Sequence, residues 1–229
     1  MTALEMYRQF NICYDNVSSN QSPGFDTREV SVYLTRAQNI VLNQCYGQYE
    51  KNELSRKQLA NLVCTAKLTT SSSTLPNDVV IDYPVKSRLF VLPEDFYLAV
   101  MESIVLGEGE DKCFDNMSIA VYPVSHDEFV SVCGNPFRCN DRRALRLDVS
   151  NNQGVRYHEI YYKKNHPIKY YFLRYIKKPK PIIIEDIDPS REDLYIESMC
   201  NQHDCEMDSS LHMLICETAA KIAASEYKN

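Results

Sequence analysis

The sequence has no tryptophan and only six glycines among its 229 residues. The shortage of glycine is informative, because phosphate cradles are glycine-rich turns whose backbone amides close on the ligand. Neither GxGxxG nor GxxxxGK followed by Ser or Thr occurs, so an ATP-driven motor or a dinucleotide enzyme would lack its usual device. Long apolar runs are also missing. No stretch approaches the ~18 uninterrupted apolar residues of a bilayer span, and Met1 to Phe10 has neither a basic nor an apolar leader region. The expectation is a protein made and kept in a cytoplasm, with no membrane partner. Nor is there a cationic excess. The 31 acidic residues outnumber the 25 basic ones, for a net charge of −6. This argues against a general nucleic-acid coat, since phosphate binding depends on Lys and Arg neutralising charge. An acidic wall that DNA slides past remains compatible.

Nine cysteines run from Cys13 to Cys216. The number is odd and the spacing has no dense secreted-type framework, so free thiols and no disulfides are expected. Sixteen tyrosines offer large contact areas with a polar tip, which suits a half-wet protein interface as well as an ordinary core. With 44% apolar content the chain can bury roughly 70% of its unfolded surface, as one domain or two small ones.

Helical signals dominate the start. Thr2 with Glu5 has capping-box spacing ahead of Leu4, Tyr7, Phe10, Tyr14 and Val17 at helical intervals, which predicts a helix from about residue 3 to 16. The turn-forming run SSNQSPG, Ser18 to Gly24, breaks it. Asp26 with Glu29 then caps a second helix carrying Val30, Tyr33, Leu34, Ala37, Ile40, Val41 and Cys45 along one face, with Gly47 as its stop. Ser55 and Gln58 form a third capping pair ahead of Leu59, Leu62, Val63 and Ala66, after which the polar run Thr69 to Thr74 reads as a loop.

From Arg88 the character changes. Leu89 to Leu92, Tyr97 to Leu106, Met117 to Val124, Leu145 to Val149, Val155 to Tyr162 and Ile168 to Ile176 are short runs rich in branched and aromatic residues, which predict a mainly antiparallel sheet. Between them lies an insertion, with Ser125 and Glu128 capping a helical turn and Asn135 to Phe137 making a turn with an apolar anchor. Pro179, Pro181 and Pro189 flank Ile182 to Ile184 and favour an extended path across a surface. Asp208 caps a final helix in which Leu211, Leu214, Ile215, Ala219, Ile222 and Ala223 face one way, with Ala220 and Ala224 keeping the flank small. Helices, strands, then a helix, without repeats or βαβ alternation, give an α+β class. Residues 1–75 and 206–229 are expected to form a helical subdomain. Residues 76–205 form a β-rich region with an insertion at 125–143.

Candidate chemistry is sparse. Cys200, His203, Cys205 and His212 fall close together and could offer soft ligands, but the spacing fits no strong zinc pattern, and ordinary thiols and imidazoles are preferred. Cys133 and Cys139 are weaker still. No His is placed beside a particular Cys, as a cysteine nucleophile would need. The acidic clusters Glu108 to Asp111 and Glu185 to Asp188 lack calcium-loop spacing and read as solvated loops. Lys163, Lys164, Lys169, Arg174, Lys177, Lys178 and Lys180 are interleaved with tyrosines over residues 157–180. The run reads either as a sequence-tolerant nucleic-acid platform or, as preferred here, as strands with tyrosines inward and lysines in water. A hydrolase with a hidden site is a third reading, without candidate residues.

Three ordered blocks carry a resemblance. The first is EMYRQFNICYDNVSSNQSPGFDTREVSVYLTRAQNIVLNQCY over residues 5–46. The second is FVLPEDFYLAVMESIVL with VYPVSHDEFVSVCGNPFRCNDRRALRL, over residues 90–147. The third is YFLRYIKKPKPIIIEDI with CEMDSSLHMLICETAAKIAAS, in which Met207 stands where Leu is expected. Together they resemble the ring, or head-to-tail connector, proteins of crAss-like and related podovirus phages of gut Bacteroidota. The resemblance implies a non-enzymatic virion structural protein without cofactors, assembled in the host bacterial cytoplasm. It would form a ring of about twelve copies stacked on the portal, with further ring and tail proteins as partners and double-stranded DNA passing through without sequence recognition. Tyr33, Phe137, Arg138, Lys164, Arg174, Lys178 and His212 are the candidate interface residues.

Overall fold

The first helix, α1 (Ala3–Val17), begins on the reciprocal cap expected of Thr2 and Glu5. The Thr2 amide donates to Glu5 Oε2 at 2.9 Å and the Glu5 amide to Thr2 Oγ1 at 3.3 Å. The same device starts α2 (Thr27–Gly47). The Asp26 amide donates to Glu29 Oε2 at 3.1 Å, and the Asp26 carboxylate accepts from the Thr27 amide at 2.8 Å. The end of α2 differs from the expectation. Gly47 lies inside the helix, and Gln48, in right-handed helical conformation, caps it through amide contacts to Cys45 and Tyr46. The computed structural model describes residues 1–17, 24–69, 87–109, 111–151, 154–164 and 166–227. The SSNQSPG turn apart from Gly24, and the Thr69 to Thr74 run beyond Thr69, lie outside the described residues.

The third helix departs further. Asn52, not Ser55, caps α3 (Glu53–Gln58), accepting from the Leu54 amide at 3.0 Å. A single 3-10 turn at Ala60–Leu62 follows, and then strand β1 (Val63–Leu68). The apolar run from Leu59 to Ala66 is too short for periodicity to separate helix from strand, and Val63 and Thr65 favour the pleated form.

Contacts divide the chain into two compact units, residues 1–63 with 178–229, and residues 64–177. The division falls at 63 and 178, against the 75 and 206 read from the sequence, because β1 joins the sheet and the proline-flanked run joins the helices. In the helical unit α5 (His212–Tyr227) packs on α1 and α2. Its buried stripe is Ile215, Cys216, Ala219, Ala220 and Ala223, small residues that let the helices approach closely. Asp208 caps the 3-10 turn Ser209–Leu211 that leads into it, accepting from the Ser210 amide at 2.9 Å. Most of the expected faces are buried, including Phe10 and Tyr14 of α1, Val30, Leu34, Ala37, Val41 and Cys45 of α2, and Ile215, Ala219 and Ala223 of α5, but their edges differ. Leu4, Ile40 and Leu214 are 44%, 41% and 42% exposed, while Ala3, Met6, Leu42 and Cys216 are inside. Each helix carries apolar residues on two adjacent stripes, so spacing alone does not choose the phase.

Ile182, Ile183 and Ile184 are extended, as the prolines require, but they run through the interior of the helical unit rather than over a surface. One turn after another of α2 serves their backbone. The Ile184 amide donates to Ser31 Oγ at 3.1 Å and the Ile182 amide to Thr35 Oγ1 at 3.1 Å, while Gln38 Nε2 donates to the Lys180 carbonyl at 2.9 Å. Ile183 exchanges both backbone bonds with His203, at 3.0 and 2.9 Å. An extended segment without strand neighbours thus finds partners for its buried amides.

The second unit is a seven-stranded mixed sheet of β1, β2 (Ser87–Val91), β3 (Phe96–Leu106), β4 (Ser118–Pro123), β5 (Arg143–Ser150), β6 (Arg156–Tyr161) and β7 (Ile168–Lys177), in the order β1-β7-β3-β4-β5-β6-β2. β3 pairs antiparallel with β4 and β7, and β6 with β2 and β5. Only β4 and β5, among the pairs with described register, run parallel. The 125–143 insertion explains this exception. A parallel pair needs a crossover of about a dozen or more residues, and α4 (His126–Gly134) supplies it. The sheet is rolled. Phe90, on the last strand in the order, has its ring 5.1 Å from Tyr171 on β7 near the other end, and Phe96 of β3 lies 5.2 Å from His158 of β6. The inner face closes over Phe90, Ile104, Ile119, Ile160, Tyr171 and Leu173. On the outside, Phe129 and Val132 of α4 cover Leu145 and Leu147.

Candidate functional site

Strand alternation sends Glu102 of β3 to the same side as Ile104 and Leu106, into the rolled interior. Arg146 of β5, His158 of β6 and Tyr171 of β7 arrive there too, and Asp148 of β5 joins them from the rim, its side chain mostly in water. Glu102 Oε2 is 2.8 Å from Arg146 Nη1, with the two side chains only 6% and 11% exposed. Arg146 Nη2 is 3.3 Å from Asp148 Oδ2, and Asp148 Oδ1 is 3.1 Å from His158 Nε2. On its other side His158 Nδ1 lies 2.7 Å from the Tyr171 hydroxyl, which donates a short bond to Glu102. Asp148 is held below the usual carboxylate range by its bond from His158 and by the neighbouring Arg146 charge. Burial, then the Glu102 carboxylate, drives the Tyr171 phenol far up.

This constellation has the ingredients of a proton relay, but its geometry performs a structural task. A general acid or base has to come within hydrogen-bond reach of a bound reactant, and His158 and Tyr171 are fully enclosed by the rolled sheet. What the network does is tie β3, β5, β6 and β7 together, each buried charge answered by another. Sequence reading missed it because its members are scattered from 102 to 171. The available signal was Glu102 itself, a carboxylate in phase with the inward-facing Ile104 and Leu106.

The seven residues singled out from the sequence are distributed over both units. Tyr33 is half-buried on α2, its ring stacked 6.4 Å from Phe10, and burial with the nearby Glu226 raises its phenol. Phe137 is 85% exposed, in a turn where its amide donates to Asn135 Oδ1 at 2.9 Å, and Arg138 beside it is exposed. Lys164 sits 3.6 Å over the Phe114 ring and pairs with Asp111 at 3.4 Å and Asp141 at 3.2 Å. Arg174 is exposed on β7. Lys178 pairs with Glu197 at 2.7 Å. His212 is turned inward, 4% exposed, with Nε2 donating to the Met207 carbonyl at 3.0 Å, so that Nδ1 accepts from the Met1 amine at 3.0 Å. Among the described residues no hydrogen bond, ion pair or ring contact joins any two of the seven.

The Cys and His residues near the C-terminal end also serve separate local structures. Cys205 Sγ lies 3.4 Å from Gln38 Oε1, and His203 pairs with Glu206 at 3.8 Å. Burial pushes the Cys205 thiol up to about 11 and the Cys216 thiol to about 12, the opposite of what a thiolate ligand needs. Among the described residues no three potential ligands gather around one point. All nine cysteines are free thiols. In the basic and aromatic strands, Tyr157, Tyr162, Tyr171 and Tyr175 are buried while Lys163, Lys169 and Arg174 face water.

The polar groups described above are thus bonded to one another or to the backbone, within a packed scaffold with exposed faces. Residues 1–229 match the family described as phage tail ring protein 3/4. The chain belongs to that family. It is similar to ring protein 3 of Bacteroides phage crAss001, with 28% identity over 232 residues covering 97% of this chain and 95% of the relative. It is also similar to ring protein 4/5 of the same phage, with 24% identity over 241 residues covering 100% of this chain and 94% of the relative. Membership in a ring-protein family makes the chain a virion structural protein rather than an enzyme.

Proposed function

We propose that the chain forms one closed ring of the head-to-tail connector, beneath the portal, extending the DNA channel and joining capsid to tail. The observation that carries this reading is the match to a tail ring family from the first residue to the last. A heterologous contact that closes by rotation gives a ring, here of about twelve copies. Such a subunit works by presenting two different complementary surfaces, which agrees with a fold whose buried polar groups are spent on structure. Double-stranded DNA passes through the ring without sequence recognition, and the net charge of −6 suits a wall that does not retain it. Portal, further ring proteins and tail proteins are its partners, and assembly takes place in the host cytoplasm.

Electron microscopy of the purified chain mixed with portal is the direct test. The expected result is a ring stacked coaxially on the portal. Persistent absence of co-assembly, together with absence of the chain from purified particles, would overturn the reading.

A further inference from the structure

The outer face of the rolled sheet is covered by α4 only over β5 and β6, where Phe129 and Val132 meet Leu145, Leu147 and Tyr161. Among the described residues no other helix of the sheet unit covers that face. Pairing aligns Met101 with Arg174, Ser103 with Phe172 and Ala120, and Val105 with Tyr170 and Ser118, so these side chains share one side. Tyr122, two residues beyond Ala120, continues the row. Met101 is 56% and Tyr122 44% exposed. Cations are already seated on the rings. Lys67 Nζ stands 3.7 Å from the Tyr170 centroid, and the Arg143 guanidinium carbon 5.0 Å from that of Tyr122. Arg174 is exposed beside Met101. The only carboxylate in β1, β3, β4 and β7 is Glu102, and it points inward. Among the described residues the open face is therefore apolar and aromatic, with Lys67 of β1, Arg174 of β7 and Arg143 at the start of the adjoining β5, and no carboxylate of β1, β3, β4 or β7 beside them.

The other unit carries a complementary feature. Residues 185–197 hold six carboxylates against one base, Arg191. Bonds within the segment and to its surroundings order it, and Arg28 of α2 donates from Nε to the Leu194 carbonyl at 3.0 Å. The Ile187 amide donates to the Cys200 carbonyl at 2.7 Å, the Tyr195 hydroxyl to the Pro189 carbonyl at 3.0 Å, and Ile196 bridges Met199 across a turn in which Glu197 and Ser198 have φ of 48° and 66°. Glu192 and Asp193 are exposed, with Asp193 paired to Arg191 of the same segment at 3.6 Å, while Glu197 is taken by Lys178 at 2.7 Å.

We infer that the open face of β1, β7, β3 and β4 receives the acidic 185–197 segment of the next copy of this chain. The inference rests on the ring reading, and it specifies which two surfaces make the ring. A ring contact joins two different patches, and opposite charge on them both attracts the correct pair and prevents either patch from pairing with itself, which disfavours a two-fold dimer. The charged ends of Lys67 and Arg143 are already held over aromatic rings, so less side-chain freedom is lost when a carboxylate docks. Nucleic acid is the competing occupant. It is disfavoured because bases would need bare ring faces for stacking, and here the cations occupy them.

The test uses the full-length chain carrying Arg143→Glu with Arg174→Glu, or Glu192→Lys with Asp193→Lys, or all four changes, each checked for native circular dichroism. Incorporation into particles and rings is counted by electron microscopy and quantitative mass spectrometry. Each one-sided reversal is expected to lower incorporation by at least about tenfold, and the four-fold variant to recover most of it. If wild type enters particles and the Arg143→Glu/Arg174→Glu variant enters equally well, the docking inference falls and the ring reading stands. If incorporation is unchanged while salt-sensitive binding of a short DNA duplex is lost, the face belongs to nucleic acid and the inference is equally overturned. Failure of wild type to enter particles would remove the ring reading itself. In isotopically mixed preparations, a carbodiimide cross-link from Lys67 of one copy to Glu192 or Asp193 of another is expected from the docked pair. Its absence from assembled wild-type rings would sink the inference independently of any variant.

Discussion

In the helical unit the buried polar side chains Ser31, Thr35 and Gln38 all serve the backbone of a single extended segment, whereas in the sheet unit Glu102, Arg146 and His158 serve one another. The difference follows from what each backbone leaves unsatisfied. Ladder bonding pairs the sheet's amides, so polar atoms turned inward there can be answered only by other side chains. The Ile182–Ile184 run has no strand beside most of it, so neutral hydroxyl and amide groups of α2 take the place of a ladder. Breaking a neutral partnership costs a hydrogen bond. Breaking a charged one strands an ion.

The largest expected effect tests whether the helical unit depends on α5. Deleting Asp208 to Asn229 removes the helix that packs on both α1 and α2, which should unfold the unit and prevent incorporation into particles. Hydrogen exchange should show protection lost throughout residues 1–63, and normal particle assembly from the truncated chain would contradict this.

Next in size is the charged network. Glu102→Ala leaves Arg146 buried without its main counter-charge, at a cost of about 3–5 kcal/mol, read by denaturant unfolding with exchange followed in residues 64–177. Replacing both residues, Glu102→Leu with Arg146→Met, should return much of that stability, because an apolar pair carries no stranded ion. A double variant as unstable as Glu102→Ala would show that the network is required for packing as well as for charge balance. Thr35→Val should cost less, about 1–3 kcal/mol, by removing the acceptor of a buried amide. Its signature is local, faster exchange at Ile182 with the sheet unit unchanged.

Much of the secondary structure was readable from the residues, and the limits were physical. Six of the seven strands and the caps at Thr2 and Asp26 follow from period and side-chain chemistry acting over a few positions. β1 was hidden because Leu59 to Ala66 is apolar without a decisive period, so tertiary pairing decided its form. Leu4, Ile40 and Leu214 were assigned to the wrong face because the true stripe is chosen by the partner helix, which no local window contains. The interior network and the bare outer face both require knowing which strands are neighbours. Once the order β7-β3-β4-β5 is fixed, alternation places Glu102 inside and Met101 outside. The parallel β4–β5 pair was foreshadowed by the insertion between them, long enough for a crossover.

The smallest expected effect is electrostatic and separates the units by pH. Asp148 has a folded-state pKa below its ordinary value, chiefly through His158 and secondarily through Arg146. A carboxyl with a depressed folded pKa contributes stability that is fully present above the unfolded value of about 3.9 and is lost as pH falls through the folded value. The sheet unit should therefore lose stability below about pH 4, and Asp148→Asn should flatten that part of the profile while lowering stability near neutrality only slightly. Much of the Asp148 side chain is in water, 70% exposed, so salt should weaken the effect. Asp208 in the helical unit is depressed mainly by the Ser210 amide rather than by a charge, and its acid sensitivity should change less with salt. Exchange-detected stability of each unit between pH 2 and 6, at low and at high salt, checks both statements. Equal salt responses would mean that the contrast between charged and neutral partnerships does not extend to the surface.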